Sequence, residues 1–432
     1  MSADTPVEVG DDVPTCLFCR APLWDTVVDL GKSPLCETYL TPSQRNEMEP
    51  FYPLHAYVCR SCWLVQVEEY VAPEEIFSNE YPYFSSYSDS WLAHAKRYAD
   101  DMVDRFKLDA SSSVIELGSN DGYLLQYFVQ QGVPVLGVEP AANVAEAAKA
   151  RGVPTEVAFF GRATAQRLVD TGVQGDLVCG ANVLAQVADI NDFVAGIARL
   201  LSDDAVCTME FPHVVRTVEG NQFDQFYHEH FSYFSLVAVE RVFAAHGMVL
   251  FDVEELPTHG GSLRIYACLE GAHHAKAPTP AVDGLRQREQ DLGVETISYY
   301  ADFAERVKKA KRDLLRFLID ARDDGARVVG YGAPGKGNTL LNYCGIRTDL
   351  LDYTVDRNPV KQGRFLPGTH IPIHHPDRIA QTRPDYVLVM PWNLVDEIHH
   401  QLCYVREWGG QLIVAVPKLQ ILDNSEPVGG QA

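Results

Sequence analysis

Residues 114–140 read VIELGSNDGYLLQYFVQQGVPVLGVEP. The two apolar runs, Val114–Leu117 and Val135–Val138, have the length and character of buried parallel strands. A glycine-rich acidic turn and an amphipathic helical stretch separate them, which is the order of one α/β unit. Gly118 and Gly122 bracket the turn, where backbone can approach a ligand with no Cβ in the way. Glu139 follows Gly118 by 21 residues, at the end of the next strand, where a carboxylate can grip the two ribose hydroxyls of an adenosine. Glu116, Asn120, Asp121 and Pro140 complete the candidate cofactor set around this turn. The same layout serves nicotinamide cofactors, so the residues alone say "nucleoside-containing cofactor". A pyrophosphate loop usually carries no acid at the position of Asp121, because it would repel the phosphates. Asp121 suits a sulfonium and an ammonium group better.

The chain has 432 residues, of which 46% are hydrophobic, and a formal net charge of -23. That length suggests two to three domains with substantial cores. So acidic a chain argues against a general nucleic-acid or anionic-membrane surface, and an anionic substrate would need a local basic pocket. The N-terminus is polar and acidic with no secretory pattern, and no apolar stretch approaches the about 18 residues a membrane span needs. Ten cysteines, four of them in paired CxxC motifs, point to thiolates and metal in a reducing compartment; the cytoplasm is the expectation.

Three segments follow from the pattern, all of α/β character. Residues 1–75 hold Cys16-x-x-Cys19 and Cys59-x-x-Cys62. Two such knuckles make a tetrahedral four-sulfur zinc site with no open position, hence a structural one. The stretch LGKSPLCETYLTP between the knuckles can loop towards a neighbouring domain, and Cys36 within it reads as a small packed hydrophobe. Residues 76–272 carry the cofactor turn and further strand candidates at 176–184, 205–212, Met248–Leu256 and Ser262–Leu269. Asn182, at the end of the first of these, falls on the same carboxyl edge as the glycine turn, where ligands of open α/β sheets collect. Residues 271–283 read as a linker and 285–323 as one long charged helix. Residues 284–432 then begin a second α/β unit with RVVGYGAPGKGNTLLNY and continue through PDYVLVMPW and GGQLIVAVP.

Three clusters could carry chemistry. Tyr227-His228-Glu229-His230 packs two imidazoles, a carboxyl and a phenol into four positions, a dense reserve of proton-transfer groups. In an extended backbone the two histidines share one face; in a turn all four fan around one end. A surface aromatic loop with solvated histidines fits the pattern too, whereas a metal site lacks a third ligand at familiar spacing. Residues 81–87, YPYFSSY, form either a lid over the cofactor or an apolar staple between domains. Gly330-x-Gly332-x-x-Gly335 matches a dinucleotide fingerprint that is weak when it stands alone. With Lys336 and Asn338 following, it reads as an anion cradle at a helix N-terminus, and Arg357, Lys361 and Arg364 lie near Asp356. A solvated basic face is the plain alternative.

Taken together, the paired CxxC module, YFSSYSDSW, ELGSNDGYLLQ, GVEP, EFPH, YHEHFSYFS, THGGSLRIY and GYGAPGKGNTLLNYCGI resemble the sugar C-methyltransferases of antibiotic deoxysugar pathways. The ELGSNDG turn by itself resembles the glycine loop of class I S-adenosylmethionine methyltransferases. The resemblance spans nearly the whole chain. It implies a zinc-binding N-terminal module, a class I (Rossmann-like) domain holding S-adenosylmethionine or S-adenosylhomocysteine, and a C-terminal Rossmann-like domain. The implied substrate is a thymidine-diphosphate (TDP) 4-keto-deoxysugar, methylated at carbon 3 or, as the alternative, carbon 5. His230 is the implied base, with Tyr227, Glu229 and Tyr81 orienting it or stabilising the enolate; His228, His259, Lys336, Asn338, Lys361 and Arg364 are the substrate-side candidates. A monomer is expected, with no nucleic-acid or membrane partner.

The family pattern carries His after Asn-Val-Leu-Ala, where this chain has Gln186. An amide can still hydrogen-bond an enolate oxygen but cannot act as a base. The chain is therefore either a variant with altered substrate geometry or one changed to weaken a catalytic donor. The rival readings are an NAD-dependent nucleotide-sugar oxidoreductase using the C-terminal fingerprint, and a catalytically impaired sugar-nucleotide binding protein.

Overall fold

The computed structural model describes residues 13–77, 81–276 and 278–422. The acidic N-terminus, residues 78–80 ahead of YPYFSSY, Ala277 of the 271–283 stretch and the last residues of the chain lie outside the described residues. Three sheets organise the rest, with four, seven and six strands.

The seven-stranded sheet runs in the order Met248–Leu256, Ser262–Leu269, Leu201–Pro212, Gly175–Ala181, Val114–Leu117, Val135–Val138, Thr155–Glu156. Its five neighbouring strands from Leu201–Pro212 to Thr155–Glu156 are parallel, while the two at the other edge are antiparallel. Alternation along Val114–Leu117 sends Ile115 and Leu117 into one apolar layer and Val114 into the opposite one, so the sheet is covered on both faces. The helix Asp89–Phe106 buries Ala95, Tyr98, Ala99 and Met102 on the Val114 side. The helices Ile190–Leu200 and Leu236–Ala244 pack on the other side. Strand order reverses between Val114–Leu117 and Gly175–Ala181, and the crevice beyond their carboxyl ends is where open sheets bind ligands.

The six-stranded sheet repeats this plan in the order Ile373–His374, Thr354–Val355, Val328–Tyr331, Tyr386–Val389, Gln411–Val414, Gln420–Ile421. All but its last pairing are parallel. Its reversal falls between Val328–Tyr331 and Tyr386–Val389, which aims the Gly332–Gly335 turn and residues 390–394 at a second crevice. The four-stranded sheet joins Asp25–Ser33, Tyr52–Val58 and Val65–Val67 of the cysteine module to Ser232–Tyr233, directly after Tyr227–His230. One apolar core runs through this sheet and the C-terminal one, with Phe223, Phe226 and Tyr233 between them.

Two expectations of local structure are corrected. The 285–323 stretch is not one helix: Gly293, at φ +76°, caps Pro280–Leu292 in the left-handed region, and Ile297–Tyr300 and Phe303–Asp323 follow separately. Glycine adopts that conformation without steric cost, so an internal glycine became a terminus. The 271–283 stretch is not a loose linker either; Ala272 is buried in the core and the next helix already begins at Pro280.

Candidate active site

The two sheet crevices open into one cavity of about 780 Å³. Gly118, Asn120, Glu139, Pro140 and Asn182 line it from the middle sheet, and Gly332, Gly335, Lys336, Pro391 and Asn393 from the C-terminal one. Gly118 has φ +67°, and a Cβ there would come within 2.9 Å of Cγ2 of Val183. That position is therefore closed to side chains, and its bare backbone lines the cavity. The Glu139 carboxylate accepts the Asn120 N–H and the Ala141 N–H, each at 2.9 Å. Burial pushes Glu139 up to about 7 while those two N–H groups pull it down. Each oxygen keeps a lone pair for a ribose hydroxyl.

Three glycine-loop residues sit behind the cavity wall rather than on it. Glu116 is buried beneath the strand end, where desolvation raises its carboxyl well above the usual range. Gly122 turns the chain at φ +76°. Asp121 corrects the electrostatic reading above: its carboxylate does not line the cavity and lies 2.7 Å from a nitrogen of Arg151. The loop's charge is thus already paired, so Asp121 holds the turn instead of meeting a cation.

Residues 81–87 line the cavity and tie its walls together. Ser85 N–H donates to Asn120 Oδ1 at 2.9 Å, Asn143 donates to the Tyr81 carbonyl at 2.9 Å, and Asn358 of the C-terminal sheet donates to the Pro82 carbonyl at 3.0 Å. Tyr81 lines the cavity.

Tyr227–His230 forms a turn, closed by the His230 N–H on the Tyr227 carbonyl at 2.9 Å, so the four side chains fan out. Tyr227, Glu229 and His230 face the cavity. His228 points away, its ring donating to the Pro53 carbonyl at 3.0 Å. The Tyr227 hydroxyl lies 2.7 Å from Nε2 of His230. Burial, then the Lys336 ammonium and His259, hold His230 well below the ordinary imidazole range, so it is neutral. Lys336 is itself pushed down to about 8 by burial, against the pull of Asp224. His259 and Asn182 meet at 2.6 Å between Nε2 and Nδ2. Both are non-glycine residues at positive φ, +52° and +60°, a strain that marks sites rather than surfaces. Gln186 lies on the same wall.

The C-terminal candidates divide. Lys336 and Lys361 reach the cavity, but Asn338 and Arg364 do not line it. Asn338, on the buried face of the helix Gly335–Cys344, donates instead to the Cys36 carbonyl at 2.5 Å. Sequence reasoning missed several lining residues. Glu37 comes from the segment between the cysteine pairs, Asn358 from the loop after Asp356, and Trp91 and Tyr123 from helix and turn; Arg357, noted above for its charge, lines the cavity as well. Trp392, at the end of PDYVLVMPW, donates to buried Asp224 at 2.7 Å and lies beneath the Lys336 ammonium. Cys36 is buried as expected, yet its thiol also donates to Glu229 Oε1 at 3.4 Å.

The four sulfurs of Cys16, Cys19, Cys59 and Cys62 lie within 4.8 Å of one another, with Cys16–Cys62 and Cys19–Cys59 at 3.5 Å. A tetrahedral zinc with bonds of about 2.3 Å sets its sulfurs about 3.8 Å apart, so the donor set fits that ion and leaves no vacancy.

Three family models match in succession: a zinc binding domain over residues 16–77, a methyltransferase domain over 91–253 and a C-methyltransferase C-terminal domain over 257–417. The C-methyltransferase NovU of Streptomyces niveus is 35% identical over 410 residues, which is 94% of this chain and 96% of that protein. The chain belongs to the C-methyltransferase family. The ubiquinone biosynthesis O-methyltransferase of Bartonella quintana shares 30% identity over 94 residues, 22% of this C-methyltransferase and 38% of that protein. A solved magnesium protoporphyrin IX methyltransferase from Synechocystis covers 41% of the C-methyltransferase and 82% of its own chain, at 16% identity and a TM-score of 0.31. The enzyme is an S-adenosylmethionine-dependent C-methyltransferase with a four-cysteine zinc module. Among the described residues no helix is long and apolar enough to cross a membrane.

S-adenosylmethionine fits the residues present. Gly118 brings bare backbone to the cavity wall, and Glu139 is fixed with acceptor capacity to spare.

Proposed function

We propose that this C-methyltransferase methylates carbon 3 of a TDP-linked 4-keto-deoxyhexose, with His230 as the proton acceptor. The observation that carries the reading is the Tyr227–His230 contact of 2.7 Å, set in the cavity that the glycine turn also lines. A ketone at carbon 4 acidifies the neighbouring C–H bond. Neutral His230 presents a lone pair, and the Tyr227 phenol donates to it. The substrate proton passes to the Tyr227 oxygen as the phenolic proton moves to Nε2 of His230, leaving the electron pair of the broken C–H bond as an enolate. S-adenosylmethionine, when bound, supplies the electrophilic methyl group that this carbon takes. Lys336, Tyr81, Glu229 and Gln186 surround the developing oxyanion, and each preorganised donor is worth on the order of 3 kcal/mol.

The sugar nucleotide enters from the C-terminal side, where Lys336, Lys361, Arg357 and the Gly332–Gly335 turn line the cavity. In this reading residues 1–75 build the zinc module, 76–272 bind the cofactor and 284–432 hold the nucleotide, in a cytoplasmic enzyme. The test is incubation with S-adenosylmethionine and a panel of TDP-4-keto-deoxysugars in heavy water, followed by mass spectrometry and product NMR. Methyl gain at carbon 3 supports the proposal, and gain at carbon 5 moves the regiochemistry to the alternative. Neither deuterium nor methyl on any 4-keto sugar, with zinc and cofactor bound, overturns it.

A further inference from the structure

The chain crosses from the zinc module to the reactive wall at residues 36–39. The Cys36 thiol donates to Glu229 Oε1 at 3.4 Å, and the Glu37 backbone N–H is a second donor to the same carboxyl group. The Glu37 carboxylate lines the cavity and lies 3.1 Å from Nζ of Lys361. Lys361 also donates to the Tyr39 hydroxyl at 2.8 Å and the Ala333 carbonyl at 2.9 Å. All three ionisable groups are shut away: Glu229 is 4% exposed, and the Glu37 and Lys361 side chains 10% and 7%. Around Glu229 stand Cys36 and Glu37 from this segment, Tyr227 and His230 from its own turn, Tyr81 from the lid and Lys361 from the C-terminal sheet. Lys361 also feels Asp356. Two buried carboxyl groups therefore share one ammonium, and that ammonium is ion-paired with Glu37.

We propose that Glu37 is a positioning residue: by occupying Lys361 it leaves the proton on Glu229, which then meets the substrate's carbon-4 oxygen as an O–H donor. A buried charge without a partner is costly, so with one cation for two carboxyls the unpaired one stays neutral. A neutral carboxylic acid stabilises a developing enolate, where a carboxylate would repel it. Burial and then the Glu37 charge push Glu229 up to about 8, against the opposing pull of the Cys36 thiol, the Lys361 ammonium and the Glu37 N–H. No group is consumed: the carbon-bound proton goes to Tyr227 and His230, while Glu229 keeps its own. The inference rests on the enolising function proposed above. It also gives the zinc module a task, since the closed sulfur site holds the segment that carries Glu37.

The test reads Glu229 without any sugar. Infrared difference titration of the zinc-loaded enzyme with S-adenosylhomocysteine, from about pH 6 to about pH 9, follows the protonated carboxyl band that is lost in Glu229→Gln. The unaltered enzyme should lose that band above neutrality. In Glu37→Gln the midpoint should fall towards the ordinary carboxylate range, because the repelling charge is gone and Lys361 turns to Glu229; Glu37→Asp should restore it. A midpoint unmoved by Glu37→Gln, or no protonated Glu229 band near neutrality, overturns the proposal. Should Glu37→Gln fail to fold, Lys361→Met must raise the midpoint, and a fall or no change is equally fatal. In the exchange assay Glu37→Gln should lose about a hundredfold in kcat with KM little changed. A wrong substrate class would silence that assay and leave the infrared result standing.

Discussion

Replacing Tyr227 by Phe removes one oxygen from the cavity wall and leaves the ring in place, its centroid 4.1 Å from that of His230. The lost atom is the one 2.7 Å from Nε2 of His230. A neutral hydrogen bond contributes about 0.5–1.5 kcal/mol net, and a buried polar atom left unpaired costs about 1–3 kcal/mol. In the resting enzyme Nε2 borders a cavity of about 780 Å³, so water can replace the phenol and recover much of that loss. The transition state for proton removal has no such remedy, because the relay oxygen is gone. A deficit of about 2–3 kcal/mol corresponds to a rate lower by about 30- to 150-fold. The assay is deuterium wash-in at the carbon next to the ketone, run with S-adenosylhomocysteine so that exchange is read apart from methylation. The fall should sit in kcat with KM little changed, since the ground-state contacts to the nucleotide survive, and Tm should stay within about 3 °C. A wash-in rate within about threefold of the unaltered enzyme refutes the Tyr227–His230 relay.

Three further perturbations separate the parts of the site. Glu139 must be ionised to accept two ribose hydroxyls, and its carboxyl is raised to about 7 by burial. S-adenosylhomocysteine should therefore bind more weakly as pH falls through that value, by up to about tenfold per pH unit; a calorimetric Kd flat across that range would sink the assignment. Stripping zinc with a chelator should abolish exchange while sparing cofactor binding, because Ser232 pairs with Gln66 of the zinc sheet whereas Gly118 and Glu139 belong to the middle one. Loss of both together would contradict this division. Gln186→His restores an imidazole to the cavity wall and should speed exchange at the same KM; an unchanged rate would make Gln186 a passive part of the wall.

What could be read from the sequence was what is local in it. The run from Val114 to Glu139 encodes strand, turn, helix and strand within a few residues of each other, and the Ser262–Leu269 strand lies where its apolar pattern puts it. The cysteine pairs were legible because two CxxC knuckles carry their geometry with them. Pairing across the chain was not. Cys36 and Glu229 are 193 positions apart, and no periodicity announces that the segment between the knuckles reaches the reactive turn. Asp121 shows the same limit from the other side. Its type suggested a cation ligand, but the loop folds back so that Arg151, 30 residues on, takes the charge first. Burial also redistributes chemistry that residue types leave open. His228 and His230 are equivalent in sequence, yet only one ring meets a phenol at the cavity while the other ends on a backbone carbonyl.

The arrangement of three sheets around one cavity explains why a closed zinc site belongs in a methyl-transfer enzyme. Each parallel sheet offers a ligand crevice at its own strand reversal, and facing the two crevices together gives the cofactor and the proposed sugar nucleotide separate walls. Two open sheet edges leave a gap between them, and water entering there would quench an enolate by returning a proton to carbon. The four-stranded sheet fills that side. It binds the Tyr227–His230 turn through Ser232–Tyr233 and sends residues 36–39 across to the C-terminal sheet, where Tyr39 donates to the Ala333 carbonyl at 2.5 Å. A metal with an open position would bring its own water and Lewis acidity to this corner. Four thiolates supply stiffness alone, and stiffness is what a neutral imidazole, a phenol and two carboxyl groups around one ammonium require to stay in register.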